Sequence, residues 1–95
     1  MEQLKLVIIE DNDAHFQLLN RSILKAFPDV SINYFQEAAS CLEKLDMINP
    51  DVVIADYFLP GMNGIEFLES LNQEKIEIPV IIITGQGDEN IAIQA

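Results

Sequence analysis

The chain has 95 residues, 49% hydrophobic and 22% charged, which suits one small packed domain and excludes both a disordered segment and two independent cores. A net charge of -11 repels phosphate backbones and anionic membrane surfaces, so these residues are not expected to bind nucleic acid or a membrane. A single cysteine, Cys41, rules out an internal disulfide, and with neither a signal-like start nor a membrane-length apolar run a cytoplasmic protein is expected.

Leu4 to Ile9 is a short apolar run closed by Glu10 and Asp11, and it reads as a strand covered on both faces. Phe16, Leu19, Ile23 and Phe27 then recur at helical spacing, with Asn12 or Asp13 placed to cap the first turn and Pro28-Asp29 ending the run. Val30 to Phe35 alternates apolar and polar residues as a weaker strand near a sheet edge does. A second helix carries Ala38, Leu42 and Leu45 on one face, with Cys41 as a small apolar filler, and stops at Asn49-Pro50. Asp51 to Asp56 is the third strand, followed by a Pro60-Gly61 loop and a helix marked by Ile65, Leu68 and Leu71. Pro79 introduces a fourth strand, Val80 to Thr84; Gly85 to Asn90 reads as loop, and Ile91 to Ala95 reads as the start of a helix.

Strands alternating with helices at this spacing imply an α/β domain with a parallel sheet and right-handed crossovers. Several strand orders are compatible with the chain. A doubly wound sheet running 2-1-3-4 sets strands one and three side by side at its switch point, where ligands bind beyond the carboxyl ends of strands. Neighbouring strands lie about 4.8 Å apart, so in that order Glu10, Asp11 and Asp56 share one edge. Like charges that close repel unless a cation joins them, and a hard divalent ion such as Mg2+, with carboxylate and backbone carbonyl ligands, is the economical solution. Asp56 is then a nucleophile toward a phosphoryl group, and Thr84, ending the strand on its other side, can donate to that group. Each residue also has a plainer use: Asp13 is better read as a helix cap, and a threonine in a strand packs well whatever its function.

In order and spacing, Val7-Ile-Ile-Glu10-Asp11, Asp56-Tyr-Phe-Leu-Pro60-Gly61-Met-Asn-Gly64 and Pro79-Val-Ile-Ile-Ile-Thr84-Gly85 resemble the three motifs of response regulator receiver domains of two-component systems. The resemblance implies the flavodoxin-like fold, a single receiver domain over residues 1–95, and phosphorylation of Asp56 by a sensor histidine kinase or phosphotransfer protein. It further implies Mg2+ held by Glu10, Asp11, Asp56 and the backbone carbonyl of Phe58, and Thr84 as the switch hydroxyl. Asn63 stands where the family often has aspartate, a change expected to be tolerated. His15 and Leu18 fall off the Phe16-Leu19-Ile23 face of the first helix and are candidates for kinase docking.

Against the family pattern, the fifth strand with its lysine and the fifth helix have no counterpart here, so the chain is expected to be a C-terminally incomplete receiver. Lys25, Lys44 and Lys75 fall in or after helices and do not replace that lysine. Without a fifth strand, the apolar Val80–Thr84 edge is expected to be exposed and to recruit a second copy as a dimer or swapped assembly. A phosphate-independent interaction module is the alternative to the phosphoacceptor. A turnover enzyme is not expected, because a phosphohydrolase would want a second acid two residues after Asp56, where Phe58 stands.

Overall fold

Five residues of β1, Lys5–Ile9, alternate between two apolar layers: Leu6 and Ile8 face one side of the sheet and Val7 and Ile9 the other, all four buried. The computed structural model describes residues 3–83 and, as backbone, 91–94. In chain order β1 is followed by α1 (Asp13–Ala26), β2 (Ser31–Phe35), α2 (Ala38–Ile48), β3 (Val52–Asp56), α3 (Gly64–Gln73), β4 (Val80–Ile83) and β5 (Ile91–Gln94). Strands β2, β1, β3 and β4 are parallel and adjacent in that order, as the doubly wound reading requires. The half-buried β2 is an edge strand.

The larger core lies between the sheet and the pair α2 and α3, where Val7, Ile9, Val53, Ala55, Val80 and Ile82 meet Ala38, Cys41, Leu45, Phe67 and Leu71. Phe67 is fully enclosed, and burying one such side chain contributes about 1.5–3 kcal/mol. The buried stripe of α3 is Gly64, Phe67 and Leu71, which leaves Ile65 exposed although its spacing marks the same helix. On the opposite face α1 lays Phe16, Leu19 and Ile23 over Leu6, Ile8 and Val30, and the Phe16 ring stacks on Tyr34 at 3.8 Å. Phe27 sits at the C-cap of α1 and is exposed.

Two expectations for the end of the chain are corrected. Residues Ile91–Gln94 form a strand antiparallel to β4, with Ile81 opposite Ile93 and Ile83 opposite Ile91, where a helix start was expected. The edge of β4, expected to be exposed and to recruit a second copy, is therefore paired within the chain. An open edge leaves backbone donors and acceptors without partners, and a β-branched segment that alternates Ile91-Ala-Ile93-Gln is well suited to satisfy them. An antiparallel return needs only a short connection, whereas a parallel one needs a crossover of about a dozen residues or more. Among the described residues no helix is long and apolar enough to cross a membrane.

Candidate functional site at the carboxyl edge of the sheet

Register fixes which side chains can meet. Ile9 pairs with Ala55 across β1 and β3, so Glu10 and Asp56, the next residues along, leave the sheet side by side. Both are buried, at 1% and 5% exposure, which is unusual for unpaired carboxylates. Each is held by a backbone N–H two residues on: Asn12 N donates to Glu10 Oε2 at 3.1 Å, and Phe58 N donates to Asp56 Oδ1 at 3.1 Å. The second oxygen of each group is thereby left for another ligand.

The loop and helix beyond β3 are shaped to this edge. Gly61 adopts a left-handed backbone, φ 72°, that a side chain disfavours. Asn63 caps α3 in a reciprocal box: Glu66 N donates to Asn63 Oδ1 at 2.8 Å and Asn63 N to Glu66 Oε1 at 2.9 Å. Aspartate and asparagine cap helices equally well, which accounts for the tolerance expected at this position. A Cβ on Gly64 would lie 3.0 Å from the Asp56 carbonyl oxygen and 3.2 Å from the Tyr57 Cα, so only glycine lets α3 start this close to β3.

Asn12, not Asp13, caps α1: its Oδ1 accepts from His15 N at 3.0 Å, while Asp13 occupies the first turn, where a negative charge suits the helix dipole. That cap turns His15 back over the acids. Its Nδ1 lies 3.9 Å from Glu10 Oε1, and one ligand atom each from Glu10, His15 and Asp56 fall within 4.8 Å of one another. Asp11 is exposed and outside this trio, although its carboxyl is near enough to affect Glu10. Burial pushes the Glu10 carboxyl up to about 7; the Asn12 N–H opposes the shift, and the neighbouring charge of Asp56 adds to it. Among the described residues no lysine or arginine nitrogen comes within 4.0 Å of a carboxylate.

Of the sequence-predicted site residues, Glu10 and Asp56 are brought together, Phe58 is placed with its N–H on Asp56, and Asp11 stands at the rim. Thr84 lies outside the described residues; its predecessor Ile83 is the register partner of Asp56. Leu18 is exposed at 61%. Sequence reasoning placed His15 on a docking surface and missed its approach to Glu10. The signal was the Asn12 cap, which folds the first turn of the helix back toward the strand end.

Comparison with known proteins identifies the family and the fold. The family model for the response regulator receiver domain matches residues 6–95. A protein-glutamate methylesterase/protein-glutamine glutaminase of Treponema denticola is 33% identical over 94 residues, covering 98% of this chain and 25% of that protein. The DNA-binding transcriptional regulator NtrC of Escherichia coli is 31% identical over 88 residues, covering 93% of this chain and 18% of the relative. The chain thus spans a quarter or less of these curated relatives. The phosphorylated cyanobacterial phytochrome response regulator RcpA shares the fold, with a TM-score of 0.77 and 19% identity over 92% of this chain and 69% of that one. With the motifs, the strand order and the family match in agreement, the chain belongs to the response regulator receiver domains.

Proposed function

We propose that the chain is a phosphoacceptor switch that takes a phosphoryl group on Asp56 from a phosphohistidine of a sensor kinase or phosphotransfer protein. The observation that carries this reading is the side-by-side burial of Glu10 and Asp56 at the carboxyl edge, each with one oxygen occupied by a backbone N–H and one left over. Phe58 N–H orients the Asp56 carboxylate, and its free oxygen attacks phosphorus. As the new O–P bond forms, the P–N bond to the donor imidazole breaks and the bonding pair stays with that nitrogen; a proton already on the other ring nitrogen lets the donor leave as neutral imidazole. Two buried acids with no lysine or arginine beside them among the described residues fit a hard divalent cation. Glu10, Asp56, the Phe58 carbonyl and, from the rim, Asp11 would hold Mg2+, which when bound neutralises charge on the phosphoryl oxygens. Thr84 is proposed to read the new charge through its hydroxyl, and the exposed Leu18 with His15 to contact the kinase.

Incubation with acetyl phosphate and Mg2+ followed by intact-mass measurement tests this reading. One added phosphoryl group is expected, absent from Asp56→Asn and reduced when Mg2+ is chelated. An unmodified wild-type chain would favour the phosphate-independent interaction module.

A further inference from the structure

Glu10 is almost fully enclosed, yet only its Oε2 receives a backbone N–H; among the described residues no N–H donor comes within hydrogen-bond range of Oε1. That oxygen faces His15 Nδ1 across 3.9 Å, too long for a hydrogen bond. Asp56 completes the trio, with all three ligand atoms inside 4.8 Å. Donors sharing one ion at about 2.0–2.2 Å lie roughly 3–4 Å apart, so these atoms need close by only about an ångström. His15 is 44% exposed.

We propose that His15, through Nδ1, joins Glu10 and Asp56 in a nitrogen and oxygen site that takes a borderline divalent ion of the Zn2+ class in competition with Mg2+. The inference rests on the pocket being a divalent-cation site, as the proposed function holds. Magnesium favours oxygen ligands and keeps its waters, and gains little from an imidazole. Zinc, nickel and copper favour one, so a nitrogen donor beside two carboxylates changes which ion the same pocket prefers. Such an ion would hold Asp56 in place of Mg2+, so the two ions compete for one pocket. His15 is the one histidine in the chain, so any imidazole ligation must come from it. Cys41 does not compete: it is fully buried, and burial holds its thiol protonated by pushing it up to about 12.

Tag-free wild type, His15→Gln and His15→Ala would be titrated calorimetrically with ZnCl2 and, separately, with MgCl2, after far-UV circular dichroism confirms that the variants are folded. Both variants are expected to lose about tenfold or more in Zn2+ affinity while Mg2+ affinity stays the same. Replacing Zn2+ by Co2+ should give a visible absorption band that loses its nitrogen-ligand character in both variants. Unchanged Zn2+ affinity in the variants, or an equal loss for both ions, overturns the role of His15. Failure of wild type to bind Mg2+ at all would instead overturn the cation site on which this inference rests.

Discussion

A methyl group placed on Gly64 pushes on the backbone that carries Asp56. The added Cβ would stand 3.0 Å from the Asp56 carbonyl oxygen and 3.2 Å from the Tyr57 Cα, and neither atom can swing away as a side-chain tip could. Relief requires the start of α3 and the β3 exit to part by a few tenths of an ångström, a form of overpacking worth about 1–3 kcal/mol. Alanine returns at most about 1 kcal/mol of helix propensity, less at a first helical position. Gly64→Ala should therefore destabilise by about 1–2 kcal/mol, lowering Tm by roughly 4–15 °C for a domain of this size. Urea unfolding followed by circular dichroism measures the first figure and a thermal scan the second. Gly61 is the control, because it has open space around it and a positive φ of 72°. Gly61→Asn should be mild, since asparagine tolerates that backbone, while Gly64→Asn should be at least as harmful as Gly64→Ala. A Gly64→Ala chain as stable as wild type, or equal effects of asparagine at the two positions, would refute the argument.

Because the Glu10 carboxyl rises from 4.5 to about 7 on folding, the native state holds its proton more tightly than the unfolded chain. Wild-type stability should then fall as pH rises from about 4.5 to 7 and stay reduced above, by at most about 3 kcal/mol. In metal-free buffer, Glu10→Gln should exceed wild type by more at pH 8 than near pH 4 by urea unfolding; a difference that does not grow with pH would contradict this. Asn63→Ala removes the side-chain oxygen that accepts from Glu66 N, one of the two bonds of the α3 capping box, and should cost about 1 kcal/mol in the same assay; no loss would show that the cap is idle. Leu18→Ala should slow transfer from a cognate kinase and leave acetyl phosphate labelling unchanged; equal slowing in both would remove Leu18 from docking.

The four parallel strands were legible because each is an apolar run bounded by acids, prolines or glycines; the 2-1-3-4 order came from the doubly wound arrangement, and the shared edge of Glu10 and Asp56 was its consequence. Burial of Cys41 and Leu45 followed from helical spacing in the same way. The phase of α3 was harder to read: Ile65 and Phe67 are both apolar, and only the packing of Gly64 against Asp56 decides which of them turns inward. The strand at Ile91–Gln94 was missed because five residues carry either period, and the choice belongs to the open edge of β4. His15 was assigned by its helical face alone. Its distance to Glu10 depends on the angle at which the Asn12 cap launches α1, which spacing along the chain does not encode.

The central claim is that Asp56 itself carries the phosphoryl group. After acetyl phosphate and Mg2+ treatment, borohydride reduction converts an aspartyl phosphate to homoserine, and peptide mapping locates it. Homoserine at position 56 alone is the predicted result; homoserine at Glu10's neighbour Asp11, at any other acid, or at none would contradict the account.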